Sequence, residues 1–246
     1  KLPLEPNETS TSVEIVEGEP GEVTAEGAAP KRSISLDYRV VLIPSFFLPE
    51  DTLLERVKQD RVPYDLWARE ELNGLPLLYP VEGAILGADA IVNHIVGPDG
   101  RSGLLKRFPR LRQAQHAYDP AFATDVALGL RDGAGLVVAE VLQNYKHLSE
   151  ACQVFEALVK AKRIIHGGHR LLRWNLENVG IKKDDAGRIR PVKPKRATKR
   201  IDGVVASIMA ISRLMVLPSP RRKSRPKAKV WTPNGFVEAP GAEARA

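Results

Sequence analysis

One cysteine, Cys152, among 246 residues excludes an internal disulfide and any zinc or iron–sulfur site built from several thiolates. A reducing compartment is the expectation that follows. Long apolar runs are missing too. The longest weakly polar stretch, Gly203 to Ser212, ends at Arg213 and falls far short of the ~20 residues that a bilayer requires. The opening residues, Lys1-Leu2-Pro3-Leu4-Glu5, lack the basic-then-apolar pattern of a secretory signal, and with no initial Met a fragment or processed product is expected. Neither G-x-x-x-x-G-K-[ST] nor G-x-G-x-x-G occurs, so nothing here binds a nucleotide by those routes. With 43% hydrophobic and 27% charged residues, a fibrous or wholly unfolded chain is excluded as well.

What is present is basic, and unevenly so. Thirty-seven Lys and Arg against thirty Asp and Glu give a net charge of +7 and a pI of about 9.5, which favours a polyanionic partner. Between Leu2 and Pro30 the charge is acidic, with Glu5, Glu8, Glu14, Glu17, Glu19, Glu22 and Glu26 among Pro, Gly, Ser and Thr. Residues 1–32 therefore read as a disordered acidic segment. From Pro218 to Lys229 a Pro-broken basic run leads into a Gly/Ala/Glu tail, so 218–246 read as an unstructured basic tail, either merely solvated or phosphate-binding. The folded body is expected over 33–217, one domain by length.

Within that body, Ser33 to Phe47 reads as a strand and Pro49-Glu50-Asp51 opens a helix through Gln59. Ala88 to Val96 reads as a helix and Gly97-Pro98-Asp99-Gly100 as a turn. Gln113 to Tyr118 leads to Asp119-Pro120, with Pro120 suited to start a helix over 121–131; Leu136 to Val141 reads as a buried strand. His147 to Lys162 carries one apolar face, and Arg163 to His166 follows as a short strand. His169 to Glu177 reads as helical, Val179–Lys183 and Ile189–Val192 as a hairpin, and Thr198 to Leu217 as an apolar helix. Strands alternating with helices make an α/β domain with a mixed or parallel sheet.

Two carboxylates stand out. Asp119 lies where a strand gives way to a helix, the place where open α/β sheets hold ligands, although an Asp before a Pro is also a good N-cap. Asp202, on a helix apolar nearly all round, needs a cation or partner to offset its desolvation, and Arg200 or Lys199 could form an ion pair with it. Alternatively the two carboxylates share a hard divalent cation such as Mg²⁺ or Mn²⁺. A two-metal phosphodiester site usually needs a third carboxylate. Asp37 on the first strand, and Asp184 and Asp185 in the hairpin, are the candidates, none of them compelling. Lys182, Lys183, Arg188, Arg190, Lys193, Lys195, Arg196, Lys199 and Arg200 lead into Asp202 and are expected to contact a DNA backbone, a solvated face being the alternative. His166-Gly167-Gly168-His169 reads as a turn rather than a zinc site, and Cys152 as a core residue rather than a nucleophile.

The run His166-Gly167-Gly168-His169-Arg170-Leu171-Leu172-Arg173-Trp174, with Glu177-Asn178-Val179, Asp185-Ala186-Gly187-Arg188-Ile189-Arg190-Pro191 and Lys199-Arg200-Ile201-Asp202-Gly203-Val204-Val205-Ala206, resembles the C-terminal part of tailed-phage terminase large subunits. Upstream, Phe47-Leu48-Pro49-Glu50-Asp51, Val62-Pro63-Tyr64-Asp65-Leu66-Trp67-Ala68-Arg69 and Ala117-Tyr118-Asp119-Pro120 extend the likeness, which covers about Asp37 to Met215. The resemblance implies an RNase H-like fold with a mixed central sheet flanked by helices. It also implies a Mg²⁺- or Mn²⁺-dependent endonuclease, with a two-metal site, that cuts concatemeric viral DNA during packaging in the cytoplasm of a bacterial host. Asp119 and Asp202 match the family's second and third metal-binding carboxylates. Implied partners are double-stranded DNA, the terminase small subunit, the portal protein and the ATPase motor domain, with no membrane. The family's motor and its Gly-Leu-Asp-Leu-like first strand are not found, which leaves Asp37 as a surrogate for the first carboxylate. Two other readings stay open: a catalytically inactive DNA-binding prophage remnant, and another RNase H-like nuclease such as a resolvase or integrase.

Overall fold

The computed structural model describes residues 39–100, 102–194, 199–216, 229–232 and 235–238. The acidic segment with Asp37, the residues Lys195 and Arg196, and most of the basic tail lie outside the described residues.

The first part runs β1 (Val40–Val41), β2 (Phe47–Pro49), α1 (Leu53–Asp60), α2 (Tyr64–Trp67), β3 (Glu71–Leu72), β4 (Leu75–Pro76) and β5 (Tyr79–Val81). The single long strand expected up to Phe47 is interrupted, because Pro44 has no N–H to give a ladder. Next come α3 (Ala88–Val96), α4 (Leu104–Arg107), β6 (Gln115–Tyr118), α5 (Thr124–Leu128) and β7 (Val137–Glu140). The body closes with α6 (Tyr145–Lys160), β8 (Ile164–Ile165), α7 (Arg170–Asn178), β9 (Gly180–Lys183), β10 (Ile189–Val192) and α8 (Asp202–Leu214). A last antiparallel pair, β11 (Lys229–Thr232) with β12 (Gly235–Glu238), corrects the reading of the tail as wholly unstructured. Val230, Trp231, Thr232, Phe236 and Val237 are strong strand formers.

The architecture is mixed α/β. Among the described strands the ladders are two-stranded: β1 with β8, β2 with β5 and β6 with β7 are parallel, while β3 with β4 and β9 with β10 are antiparallel. The expected hairpin is β9–β10, turned at Gly187 with φ +79°.

Three apolar clusters hold these pieces. In the largest, α6 lays Leu148, Ala151, Cys152, Phe155 and Leu158 against Val204, Val205, Ile208 and Ile211 of α8, with Val40 and Val141 beside them. A second joins Tyr64 and Trp67 of α2 to Leu77, Leu78 and Leu171, and a third packs Val96 and Leu105 on Leu130 and Leu136. The face read from the sequence for α6 is the buried one. The starts of α5 and α8 lie downstream of the expected ones. Pro120 sits in a turn and α5 begins at Thr124, because the Asp119 carbonyl accepts from the Phe122 and Ala123 N–H groups at 3.1 and 2.9 Å and closes a tight turn there. Helix α8 begins at Asp202 rather than Thr198, where the Ile201 carbonyl accepts from Val204 and Val205 at 3.0 Å.

Candidate metal and nucleic-acid site

A cleft of about 1240 Å³ opens beside β6, β10 and α8. Its apolar floor includes Val40, Leu105, Ala117, Val138 and Met209, and its polar lining includes Asp119, Gln143, Lys182, Arg190, Lys193 and Asp202. The two carboxylates singled out from the sequence thus face one space.

Asp119 follows the last residue of β6, half-buried, on a turn the backbone fixes. Its Oδ1 accepts the Ala121 N–H at 3.0 Å, and its Oδ2 accepts from Gln143 Nε2 at 2.6 Å. The hydroxyl of Thr124 donates to the Pro120 carbonyl at 2.9 Å and tightens the same turn. Local turn-making and presentation to the cleft are therefore both done by this side chain. The parallel register of β6 with β7 brings the carboxyl ends of both strands together and sets Gln143 beside Asp119.

Asp202 is the first residue of α8 and is exposed, which corrects its expected placement past the cap on a buried face. It has no hydrogen-bond or ion-pair partner among the described residues. The proposed pairing with Arg200 is not formed. Instead Arg200 Nε and Nη2 reach Asp60 Oδ2 at 3.4 Å, and that oxygen also accepts from the Tyr64 hydroxyl at 3.0 Å. Asp60, its side chain only 2% exposed, needs that cation. Burial, and then the Asp60 carboxylate, push the Tyr64 hydroxyl far above its ordinary pKa.

The first turn of α8 is held from α7. Asn175, 2% exposed, donates from Nδ2 to the Leu171 carbonyl and accepts the Gly203 N–H at Oδ1, both at 3.0 Å. Asn178 Nδ2 donates to the Arg200 carbonyl at 3.2 Å. A smaller cavity of about 200 Å³, lined by Asp60, Asn175, Arg200 and Asp202 among others, lies beside this turn.

No group of three His, Cys, Asp or Glu side chains that could hold a metal occurs among the described residues. Asp37 lies outside them. Asp184 is occupied within the hairpin, accepting the Arg188 N–H and its Nε at 2.8 Å.

The basic residues divide. Lys182 and Arg190, register partners across the hairpin, line the cleft with Lys193, and the Arg190 guanidinium lies 5.1 Å from the Tyr145 ring centre. Arg188 is tied to Asp184 and Arg200 to Asp60, while Lys183 is exposed and Lys199 half-buried. Arg213, absent from the sequence candidates, also lines the cleft.

The glycine turn is a turn: Gly167 and Gly168 have φ of +62° and +86°. His169, 3% exposed, caps α7 by accepting the Leu172 N–H at Nδ1, and its imidazole is pushed down to about 4, chiefly by burial. Burial also pushes the Cys152 thiol up to about 11, in keeping with a core role. Gln143 and Asn175 escaped the sequence reading. A faint signal existed for Asn175, an amide four residues from Leu171 on the apolar face of a short helix.

Residues 110–216 match the family model "Terminase large subunit, endonuclease domain". The large terminase subunit of Enterobacteria phage HK97 is 34% identical over 171 residues, covering 69% of this chain and 31% of that protein. Protein YmfN of Escherichia coli K12 is 35% identical over 102 residues, covering 40% of this chain and 22% of that protein. The crystal structure of the HK97 bacteriophage large terminase superposes with a TM-score of 0.56 at 29% identity, covering 72% of this chain and 34% of the other. The chain thus spans about a third or less of the length of these relatives. Asp119, Gln143, Lys182, Arg190, Lys193 and Asp202 all fall inside the matched segment, and over residues 110–216 the chain is similar to terminase large subunit endonuclease domains.

Proposed function

We propose that this chain is an RNase H-like, Mg²⁺- or Mn²⁺-dependent endonuclease that cuts concatemeric phage DNA during genome packaging. The observation that carries the reading is that Asp119 and Asp202 line one cleft together with the cationic side chains Lys182, Arg190 and Lys193. The donor chemistry fits a hard cation of the Mg²⁺ kind, which binds through one or two carboxylates and completes its shell with water and substrate phosphate. Asp119 and Asp202 would hold it. Held there, it would supply Lewis-acid activation of water and charge stabilisation for phosphodiester hydrolysis.

The chain's own residues do the rest. Lys182, Arg190 and Lys193 neutralise backbone phosphates along the cleft, a contact that positions a duplex without reading its sequence. The Ala121 N–H and Gln143 orient the Asp119 carboxylate, and Asn175 anchors the turn that presents Asp202. Double-stranded DNA is the substrate in this reading. The terminase small subunit, the portal protein and an ATPase motor domain are the partners that a packaging role brings. No helix among the described residues is long and apolar enough to cross a membrane.

The test is cleavage of supercoiled plasmid with Mn²⁺ by the full chain, beside Asp119→Ala and Asp202→Ala. Cutting by the parent and none by either folded variant is expected; retained cutting in both variants sinks the assignment. A second reading, a DNA-binding relic without catalysis, is favoured by the absence, among the described residues, of any group of three His, Cys, Asp or Glu side chains that could hold a metal. It predicts salt-sensitive DNA binding with no scission by the parent chain.

A further inference from the structure

We propose that Gln143 is a positioning residue that fixes the carboxylate of Asp119 for cation binding, a role that rests on the two-carboxylate reading above. Gln143 is exposed in the loop between β7 and α6 and lines the cleft. The loop itself is well tied. The Val141 N–H donates to the Tyr118 carbonyl at 2.9 Å, extending the β6–β7 register by one bond. On the other side the Asn144 N–H donates to the Leu142 carbonyl at 2.9 Å, and Asn144 Oδ1 caps α6 by accepting the His147 N–H at 3.0 Å. Gln143 is therefore held from both flanks opposite Asp119.

A carboxylate at a strand end turns about its side-chain torsions, and each orientation lost on metal binding weakens that binding. Here each oxygen has one donor: Ala121 N–H on Oδ1 and Gln143 Nε2 on Oδ2, so the plane of the carboxylate is fixed. Against an acceptor-only carboxylate, the amide must present its nitrogen, which settles the orientation of the Gln143 amide. Each Asp119 oxygen still has a lone pair to offer the cleft. The choice of an amide has a consequence of its own. Lys or Arg in this place would hold the carboxylate equally well but would repel an incoming cation and cancel the charge that attracts it; a neutral donor does neither. Supporting hydrogen bonds of this kind to metal-binding carboxylates are worth about 10–100-fold in metal affinity.

The experiment is calorimetric titration of Mn²⁺ into the full chain without DNA, for the parent, Gln143→Leu and Asp119→Ala, with thermal unfolding and metal-free DNA binding measured alongside. Gln143→Leu keeps the bulk and removes the donor from an exposed loop. It is expected to weaken the Mn²⁺ binding that Asp119→Ala abolishes by about 10–100-fold, with the unfolding temperature and metal-free DNA binding unchanged. In plasmid cleavage the Mn²⁺ concentration for half-maximal rate rises while the rate at saturating Mn²⁺ recovers. If Asp119→Ala loses Mn²⁺ and Gln143→Leu binds it like the parent, the positioning role is wrong and the carboxylate reading stands. If Asp119→Ala binds Mn²⁺ like the parent, Asp119 is not a ligand and both fall together.

Discussion

At Gly203 the limit is space. A Cβ there would sit 2.5 Å from Phe46 Cζ, 2.9 Å from its Cε1 and 3.2 Å from Leu172 Cδ1, so the aromatic ring lies directly on the first turn of α8. Gly203→Ala is expected to destabilise the chain by about 1–3 kcal/mol through overpacking, and Phe46→Leu in the same chain to recover part of that loss. Urea unfolding of the parent, both single variants and the double variant gives the coupling, and strict additivity would refute the contact. Asn175 acts on the same turn by a different force. Asn175→Leu leaves the Gly203 N–H without its acceptor, at a cost of about 1–3 kcal/mol in a site that is 2% exposed. At this scale the sequence exposes charge more readily than neutral polarity. Asp119 and Asp202 attract notice because an ionised group must be accounted for wherever it sits. Gln143 and Asn175 carry no charge, and their partners are 24 and 28 residues away, so only the fold brings their meaning into view.

Helix α7 shows what an element owes to one titratable cap. His169 accepts the Leu172 N–H at Nδ1, which requires the neutral ring, and burial has pushed its pKa down to about 4 from the ordinary 6.5. The unfolded chain therefore binds this proton more readily than the folded one. The stability His169 contributes is complete above about pH 6.5 and is lost as pH falls towards 4, with a slope of at most about 1.4 kcal/mol per pH unit. His94 and His116 are also shifted down, first of all by burial, and add to the slope in the same direction. Urea midpoints of the parent against His169→Asn between pH 7 and pH 4.5 isolate the one residue. The variant should be less pH-dependent, since Asn caps without titrating; an equal slope in both would dismiss the cap. The helices themselves were legible wherever an apolar face repeats, as in α6, because that face is a property of the segment alone. Their starts were less so. Pro120 and Thr198 carry local helix-start signals, yet α5 begins at Thr124 and α8 at Asp202. Hydrogen bonds to the Asp119 and Ile201 carbonyls decide those boundaries, and the Asn175 contact that holds α8 is tertiary.

Across the whole molecule the net charge of +7 does not predict which cations are available to a polyanion. The basic run before Asp202 looked uniform in sequence, and its register across β9 and β10 sorts it. Lys182, Arg190 and Lys193 line the cleft, whereas Arg188 is held by Asp184 at 2.8 Å and Arg200 by the buried Asp60. A cation already paired with a carboxylate releases fewer counterions when a phosphate arrives, so the two groups should differ in how they shape salt dependence. For duplex DNA without metal, the logarithm of the binding constant should fall with the logarithm of salt concentration at about 0.9 per phosphate contact. Lys182→Gln and Lys193→Gln should each lower that slope by about 1 and weaken binding evenly across DNA sequences. Arg188→Gln should change it by distinctly less. Filter binding at four or more salt concentrations separates these outcomes. If Arg188→Gln lowers the slope as much as Lys182→Gln does, the DNA is responding to the summed charge of the hairpin, and the cleft has no privileged part in holding it. Unequal slopes place the phosphates in the cleft that Asp119 and Asp202 also line, where a bound backbone would meet the carboxylates that are proposed to hold the metal.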